Sequence, residues 1–188
     1  MITSQAVIDL LNEQIRNELE SHAIYLAMSA WFETTPFKGF AAKYHAAALE
    51  EHGHAMKFYG YLADRDARIK ILPVPEPTFE YASVIAAAQA ALTQERTVSS
   101  QIRKIYAKAQ EEGDFETLSF LKWFLDEQVE EERTAQDSSD TWNSPMATQW
   151  PFSNSTAKPL RLPPPKVTDV DWVPGSRLAP NLQNRTPR

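Results

Sequence analysis

The sequence predicts an all-α fold: a four-helix bundle with one long crossover between helices two and three, followed by an irregular, proline-rich C-terminal tail. Apolar residues recur at intervals of three and four over four long segments, which is the helical period. Prolines at every second position, Pro73, Pro75 and Pro77, forbid a helix between the second and third segments. Nine of the thirteen prolines lie in residues 138–188, where the helical period ends. These observations indicate four helices with one crossover and a tail without regular structure.

The first half of the bundle is predicted as two antiparallel helices over residues 4–33 and 37–65. Ser4 is a suitable N-cap for the first helix, and Pro36 stands in the short turn that follows it. A turn this short places the two helices side by side. Residues 66–81 then form the crossover, whose length is enough to join two parallel helices at opposite ends of a bundle.

The second half of the bundle is predicted over residues 82–112 and 114–137, with Gly113 ending the third helix. The chain after the fourth helix is rich in proline and tryptophan and has no helical period. We therefore expect two regions: a four-helix bundle over residues 1–137 and an irregular or disordered tail over residues 138–188.

Composition excludes several classes of function. The chain has 188 residues, which is enough for one domain with a sizeable core. It has no cysteine, so disulfides, thiolate metal sites and thiol nucleophiles are absent. The net charge of -6 gives no electrostatic reason to bind nucleic acid or an anionic membrane. No signal peptide and no membrane span are recognisable, so a cytoplasmic location is expected.

Polar side chains occupy inward positions in all four predicted helices. They are Glu18 and Tyr25 in the first, Glu51 and His54 in the second, Glu95 in the third, and Gln128 and Glu131 in the fourth. A carboxylate that faces a core costs several kcal/mol unless a partner offsets the loss of water. One interpretation is that these groups satisfy one another inside the core. The other is that they hold metal ions.

The spacing of these residues favours a two-metal site. Thirty-three residues separate Glu18 from Glu51, and the same interval separates Glu95 from Gln128. Glu51 is followed three residues later by His54, and Gln128 is followed three residues later by an acid. A pseudo-twofold bundle with a central pair of ions requires this repeat. The alternative is two unrelated buried polar clusters.

Carboxylate oxygens with one imidazole suit iron or manganese better than copper or structural zinc. Glu51 is placed to bridge two ions, with Glu18 and His54 completing one set of ligands. Glu95 and Glu131 would serve the other ion. Two Fe(II) ions that share such a bridge can each give one electron to dioxygen.

Five further residues flank the predicted ligands. Gln128 is a weaker ligand that can instead hydrogen-bond a bound oxygen species or water. Tyr25 either donates a hydrogen bond or an electron, or is a core tyrosine with a satisfied hydroxyl. Glu50, Glu127 and Glu130 are offset by one residue from the central ligands and form either a third metal position or a solvated acidic face.

The motifs resemble those of the non-haem bacterial ferritins. The matching stretches are Leu-Asn-Glu-Gln at 11–14, Asn-Glu-Leu-Glu at 17–20, Glu50-Glu51-x-x-His54, Glu95, and Phe-Leu-x-Trp-x-x-x-Glu-Gln-x-Glu-Glu-Glu at 120–132. The resemblance covers residues 4–137. It implies a ferritin-like fold with a di-iron ferroxidase centre that oxidises Fe(II) with dioxygen or peroxide. It also implies ferric mineral stored inside a homo-oligomeric shell, usually of 24 subunits.

The resemblance assigns iron positions residue by residue. By this resemblance, the first iron position corresponds to Glu18, Glu51 and His54, and the second to Glu51, Glu95 and Glu131. Gln128 corresponds to the amide beside the second iron, and a third site corresponds to Glu50, Glu127 and Glu130. The Gln-x-x-Glu of the fourth helix resembles ferritins rather than haem-containing bacterioferritins, which carry Glu-x-x-His there. Haem is therefore not expected.

The chain departs from the family pattern at its end, where ferritins continue the fourth helix and add a short fifth. A reading-frame shift near Ser138 is one explanation, and a genuine tail is the other. A genuine tail would put the 24-subunit shell in doubt and leave a variant with ferroxidase activity only. Two other interpretations remain open: a di-iron peroxidase or oxygenase on the same bundle, and a helical scaffold whose proline-rich tail binds partners.

Overall fold

The computed structural model describes residues 3–143, with side chains to residue 141. This part of the chain forms four helices and no strand: α1 (Gln5–Glu33), α2 (Lys38–Asp64), α3 (Val84–Glu111) and α4 (Phe115–Asn143). The prediction of an all-α four-helix bundle is confirmed. Among these helices, none is apolar over the length that crossing a bilayer requires.

The helix ends follow local capping chemistry. Ser4 Oγ accepts a hydrogen bond from Val7 N at the start of α1, and Ser83 Oγ accepts one from Ala86 N at the start of α3. Gly113, with a φ of 66°, turns the chain between α3 and α4, a backbone conformation that side chains disfavour. The predicted ends of the first three helices agree with the structure to within two residues.

The fourth helix is longer than the sequence predicts. It runs to Asn143, six residues beyond the predicted end at residue 137, so the prediction for this end is wrong. The hydroxyls of Ser138 and Thr141 each donate to the carbonyl oxygen four residues earlier, at 2.8 and 2.7 Å. The low helix propensity of serine and threonine hid this stretch of helix, in which both hydroxyls bond back to carbonyl oxygens of the helix itself. The rest of the predicted tail, residues 144–188, lies outside the described residues, and the division into bundle and tail stays a prediction.

Cross-bundle contacts fix the direction of the helices. The α1–α2 and α3–α4 pairs form the most extensive contacts, and α1 also packs against α3. Ser21 near the middle of α1 accepts a hydrogen bond from Gln94 near the middle of α3, at 2.9 Å. Tyr61 near the end of α2 meets Thr117 near the start of α4, at 2.8 Å. Helices α2 and α3 therefore run parallel, as the long crossover between them requires.

Two apolar clusters occupy the two ends of the bundle. One includes Leu11, Ile15, Phe58, Ile102 and Leu121, and the other includes Tyr25, Met28, Phe32, Tyr44 and Ala91. Along α1, the residues of the first cluster precede Glu18 and those of the second follow it. The polar groups of the core therefore form a layer between two apolar regions, where water is excluded.

The crossover is attached to α1 through one buried amide. Asn12 is 1% exposed, and its Nδ2 donates to Ile8 O at 2.9 Å and to Arg68 O at 3.0 Å. Its Oδ1 accepts from Lys70 N at 2.6 Å. This single side chain thus satisfies two backbone groups of a segment that has no regular structure of its own.

Replacing Asn12 by alanine should lower the free energy of unfolding by about 1–3 kcal/mol, because it leaves backbone groups of the crossover without their partners. Chemical denaturation measures the loss, and hydrogen exchange should show faster exchange at the Lys70 amide. Glu13→Ala, an exposed change one residue along, serves as the control. An unchanged denaturation midpoint and an unchanged Lys70 exchange rate would show that the attachment is not stabilising.

Candidate metal centre

Glu18 from α1 and Glu51 and His54 from α2 form a compact cluster in the polar layer. One possible ligand atom from each lies within 4.8 Å of the other two. The three residues are 0%, 4% and 5% exposed. The spacing of Glu51 and His54 puts both on one face of α2, and the antiparallel packing of α1 brings Glu18 opposite them. Two acids and an imidazole from two helices therefore converge on one point.

One oxygen of each carboxylate in this cluster lacks a hydrogen bond. Gln14 Nε2 donates to Glu18 Oε1 at 2.9 Å, but Glu18 Oε2 and Glu51 Oε2 are buried without a hydrogen bond. His54 Nδ1 lies 3.4 Å from Glu51 Oε2, a contact without hydrogen-bond geometry. Buried carboxylate oxygens without partners are costly, and a cation is the partner that offsets the cost best. The residues present therefore fit a bound metal ion.

A second polar group lies beside the cluster on α3 and α4. Tyr25 donates its hydroxyl hydrogen to Glu95 Oε1. Gln128 Nε2 lies 3.3 Å from Glu95 Oε2 and 3.4 Å from Ser99 Oγ, within hydrogen-bonding distance of both. Glu131, one turn along α4, is half-buried. Glu95 and Glu131 are not within the 4.8 Å group. Their charges nevertheless raise the pKa of Glu51, so both acids lie near the cluster.

The acids of the two groups influence one another's pKa. Burial raises the pKa of Glu51 well above its usual value, and the charges of Glu95 and Glu131 raise it further, against the opposing effect of the neighbouring Glu18 carboxyl. Burial and the Glu51 charge likewise raise the pKa of Glu18. Burial raises the pKa of Glu95 to about 7, against the opposing effect of the Tyr25 hydrogen bond. Burial and the Glu95 charge raise the pKa of Glu131 to about 8. The raised pKa values of these acids favour bound protons, which a bound cation would displace.

The third group of acids is less well defined. Glu50 and Glu127 are half-buried, and their charges contribute to the raised pKa of Glu131, whereas Glu130 is exposed. Within the described part of the chain, Glu18, Glu51 and His54 are the only set of three ligands that meets the metal spacing. A third metal site at Glu50, Glu127 and Glu130 therefore stays a prediction.

Aromatic rings cover one side of the cluster. The Trp123 ring meets His54 edge to face at 5.4 Å between centroids, and Phe124 meets it at 5.9 Å. Lys57 Nζ lies 3.8 Å from the centroid of the Trp123 ring, in cation–π geometry. Burial lowers the pKa of Lys57, and the charge of Glu127 opposes this effect. Trp123 is 36% exposed, so its ring lies between the cluster and solvent on this side.

Sequence reasoning missed two supporting residues. Gln14 is 1% exposed, and it donates to Glu18 while accepting from Asn17 Nδ2 at 3.1 Å. Ser99, also 1% exposed, lies one turn after Glu95 and near Gln128. Both stand one helical turn from a predicted ligand on the same face, which is the signal that would have identified them.

A four-helix bundle whose core holds a cluster of carboxylates and an imidazole defines a class, the metal-binding carboxylate bundles. The Ferritin-like domain family model matches residues 8–143. The chain belongs to the ferritin family.

Relatives and solved structures agree with this assignment. The chain is 36% identical over 140 residues to a bacterial non-heme ferritin of Staphylococcus haemolyticus, covering 74% of this chain and 84% of that protein. It is 35% identical over 129 residues to one of Staphylococcus aureus, covering 69% of this chain and 78% of that protein. An open pore ferritin from the archaeon Archaeoglobus fulgidus superposes with a TM-score of 0.73 at 35% identity. That match covers 74% of this chain and 86% of the archaeal one.

Proposed function

We propose that the protein stores and detoxifies iron, and that it oxidises Fe(II) to Fe(III) at a centre built around Glu18, Glu51 and His54. The observation that supports this proposal is the pair of buried, unpartnered carboxylate oxygens on Glu18 and Glu51, next to an imidazole in an apolar interior. Iron is here the substrate and the stored cargo. Membership of the ferritin family supports the same conclusion.

Each acid has a proposed role in holding iron. Glu18 and His54 bind one Fe(II), and Glu51 binds it and reaches toward the second. We assign the second Fe(II) to Glu95 and Glu131. Their charges raise the pKa of Glu51, which indicates that both acids lie near it on the α3–α4 side. Carboxylate oxygens and an imidazole form a donor set that suits iron.

The reaction moves two electrons and two protons. Each Fe(II) loses one electron, and the dioxygen that accepts both takes up two protons and leaves as hydrogen peroxide. The carboxyl groups release protons when Fe(II) binds, because their raised pKa keeps them protonated in the metal-free centre. Tyr25 holds Glu95 in place through its hydrogen bond, and Gln128 presents its amide beside the same acid.

Storage also needs an enclosed space, which we propose is the interior of a homo-oligomeric shell of 24 chains. Exposed apolar side chains on α1, α2 and the crossover suit contacts between copies: Leu26 is 44% exposed, Leu49 59% and Ile71 65%. The cytoplasmic location is likewise part of the proposal. A bundle that oxidises iron as a single chain or a dimer would instead be the shell-defective variant.

Iron loading tests the proposal directly. Anaerobic protein that receives Fe(II) and then air should show a fast rise in near-ultraviolet absorbance that saturates at about two Fe(II) per chain. Light scattering coupled to size-exclusion chromatography should give a particle of about 24 chains, and larger iron additions should remain soluble inside it. Oxidation no faster than in protein-free buffer would contradict the ferroxidase proposal. A particle of one or two chains would contradict the shell while leaving the oxidation chemistry intact.

A further inference from the structure

A pair of imidazoles lies at the contact between α1 and α2. His22 of α1 is half-buried and His52 of α2 is exposed. Their ring centroids are 5.8 Å apart, with 64° between the ring planes. On α2, Glu51 faces the core whereas the next residue, His52, is exposed, so these two side chains point to different sides of that helix.

One hydrogen bond sets the state of the His22 ring. Its Nδ1 lies 2.6 Å from Ala48 O, part-buried between the two helices. A carbonyl oxygen only accepts, so Nδ1 carries the hydrogen. In the neutral ring, Nε2 then keeps its lone pair for another partner. Metal-binding histidines in proteins are oriented in this way, with one nitrogen donating to a carbonyl and the other left to the metal.

The same bond ties His22 to the turn that carries His52. Ala48 precedes His52 by one helical turn, so the carbonyl that holds His22 belongs to the turn of α2 on which His52 stands. The bond therefore fixes the His22 ring against the turn of α2 that carries His52.

The ring separation fits a shared metal ion. A metal–nitrogen distance of about 2.0–2.1 Å for each imidazole places two ring centroids about 5–6.5 Å apart over the usual ligand angles. The observed 5.8 Å lies inside that interval. The exposure of His52 gives an ion in solvent direct access, and water can fill the remaining positions.

We propose that His22 and His52 form a second metal site, selective for a borderline divalent ion and distinct from the carboxylate centre. Two imidazole nitrogens without a carboxylate favour copper, nickel or zinc over iron, and Cu(II) binds tightest in that series. The site does not depend on the proposed iron chemistry, because neither histidine belongs to that centre. Its effect in the protein is to capture a competing ion on the surface, outside the iron centre.

Copper(II) tests the proposal. With one equivalent of Cu(II), the electron paramagnetic resonance spectrum of the full chain should show coordination by two imidazole nitrogens. His52→Ala should remove that pattern and weaken Cu(II) binding by at least about tenfold. Since His52 is exposed, this variant keeps the fold. Fe(II) oxidation should remain unchanged in it.

His45→Ala is the matched control. His45 is an exposed histidine on α2, two turns before His52 and on the same side of the helix, and it should be replaceable without effect on copper. His22→Gln should lose the two-nitrogen pattern as His52→Ala does. A two-nitrogen spectrum that persists in His52→Ala, or a wild-type spectrum with a single nitrogen, would overturn the site. A parallel loss of Fe(II) oxidation in His52→Ala would overturn its separation from the iron centre.

Discussion

Replacing Glu51 by alanine is expected to abolish the fast phase of Fe(II) oxidation, slowing it by at least about 100-fold, while the bundle remains folded. Glu51 lies in the compact cluster with Glu18 and His54, and the charges of Glu95 and Glu131 also raise its pKa. Its loss therefore removes a ligand from both proposed iron positions at once. Stopped-flow absorbance in the near ultraviolet measures the rate.

The same variant should stay folded for a specific reason. Glu51 Oε2 has no hydrogen-bond partner, so the change removes an unfavourable buried carboxylate together with its side-chain packing. Circular dichroism should show an unchanged helix content. Asp64→Ala, an exposed acid on the same helix, controls for loss of charge and should oxidise iron at the wild-type rate. If Glu51→Ala kept the fast phase, the assignment of the iron ligands would be wrong.

The free energy of unfolding of the metal-free protein is expected to fall by several kcal/mol as the pH rises from about 5 to about 8. Burial raises the pKa of Glu95 to about 7 and of Glu131 to about 8, from 4.5 as the ordinary value. Between these values the folded state holds protons that the unfolded chain has already lost. The folded state binds more protons, so its stability decreases as the pH rises through the pKa values of Glu95 and Glu131.

Thermal or urea denaturation at a series of pH values measures this effect. Glu131→Gln removes one contributing group without changing its size, so its stability should fall less over the same pH range. A redox-inert cation such as Zn(II) binds the ionised carboxylates, and its presence should reverse the direction of the pH dependence. Metal-free protein whose stability rose from pH 5 to pH 8 would show that these acids are ionised and solvated in the folded state.

The helices and the layer of inward acids could be predicted from the sequence because both depend on local spacing. The intervals of three and four placed Glu18, Glu51 and Glu95 on buried faces, and the structure has all three buried. The interval of 33 residues, which recurs in both halves of the chain, indicated that the two helical hairpins place their polar residues at matching positions. Such periodicities reflect helix geometry and need no knowledge of packing.

What could not be predicted depends on contacts between distant segments. The bond from Asn12 to Arg68 joins residues 56 positions apart, and nothing in the local pattern marks that asparagine. The end of α4 was missed because Ser138 and Thr141 bond back to their own helix, which their propensities do not reveal. The pairing of His22 with His52 likewise required the alignment of α1 against α2.

The ammonium of Lys57 above the Trp123 indole has a consequence for the durability of the protein. A positive charge over an aromatic ring stabilises the intact ring and makes the removal of an electron from it harder. Trp123 contacts His54 of the proposed iron centre, so reactive products of iron and oxygen formed there would meet its indole. We therefore expect the Lys57 charge to make the Trp123 indole harder to oxidise.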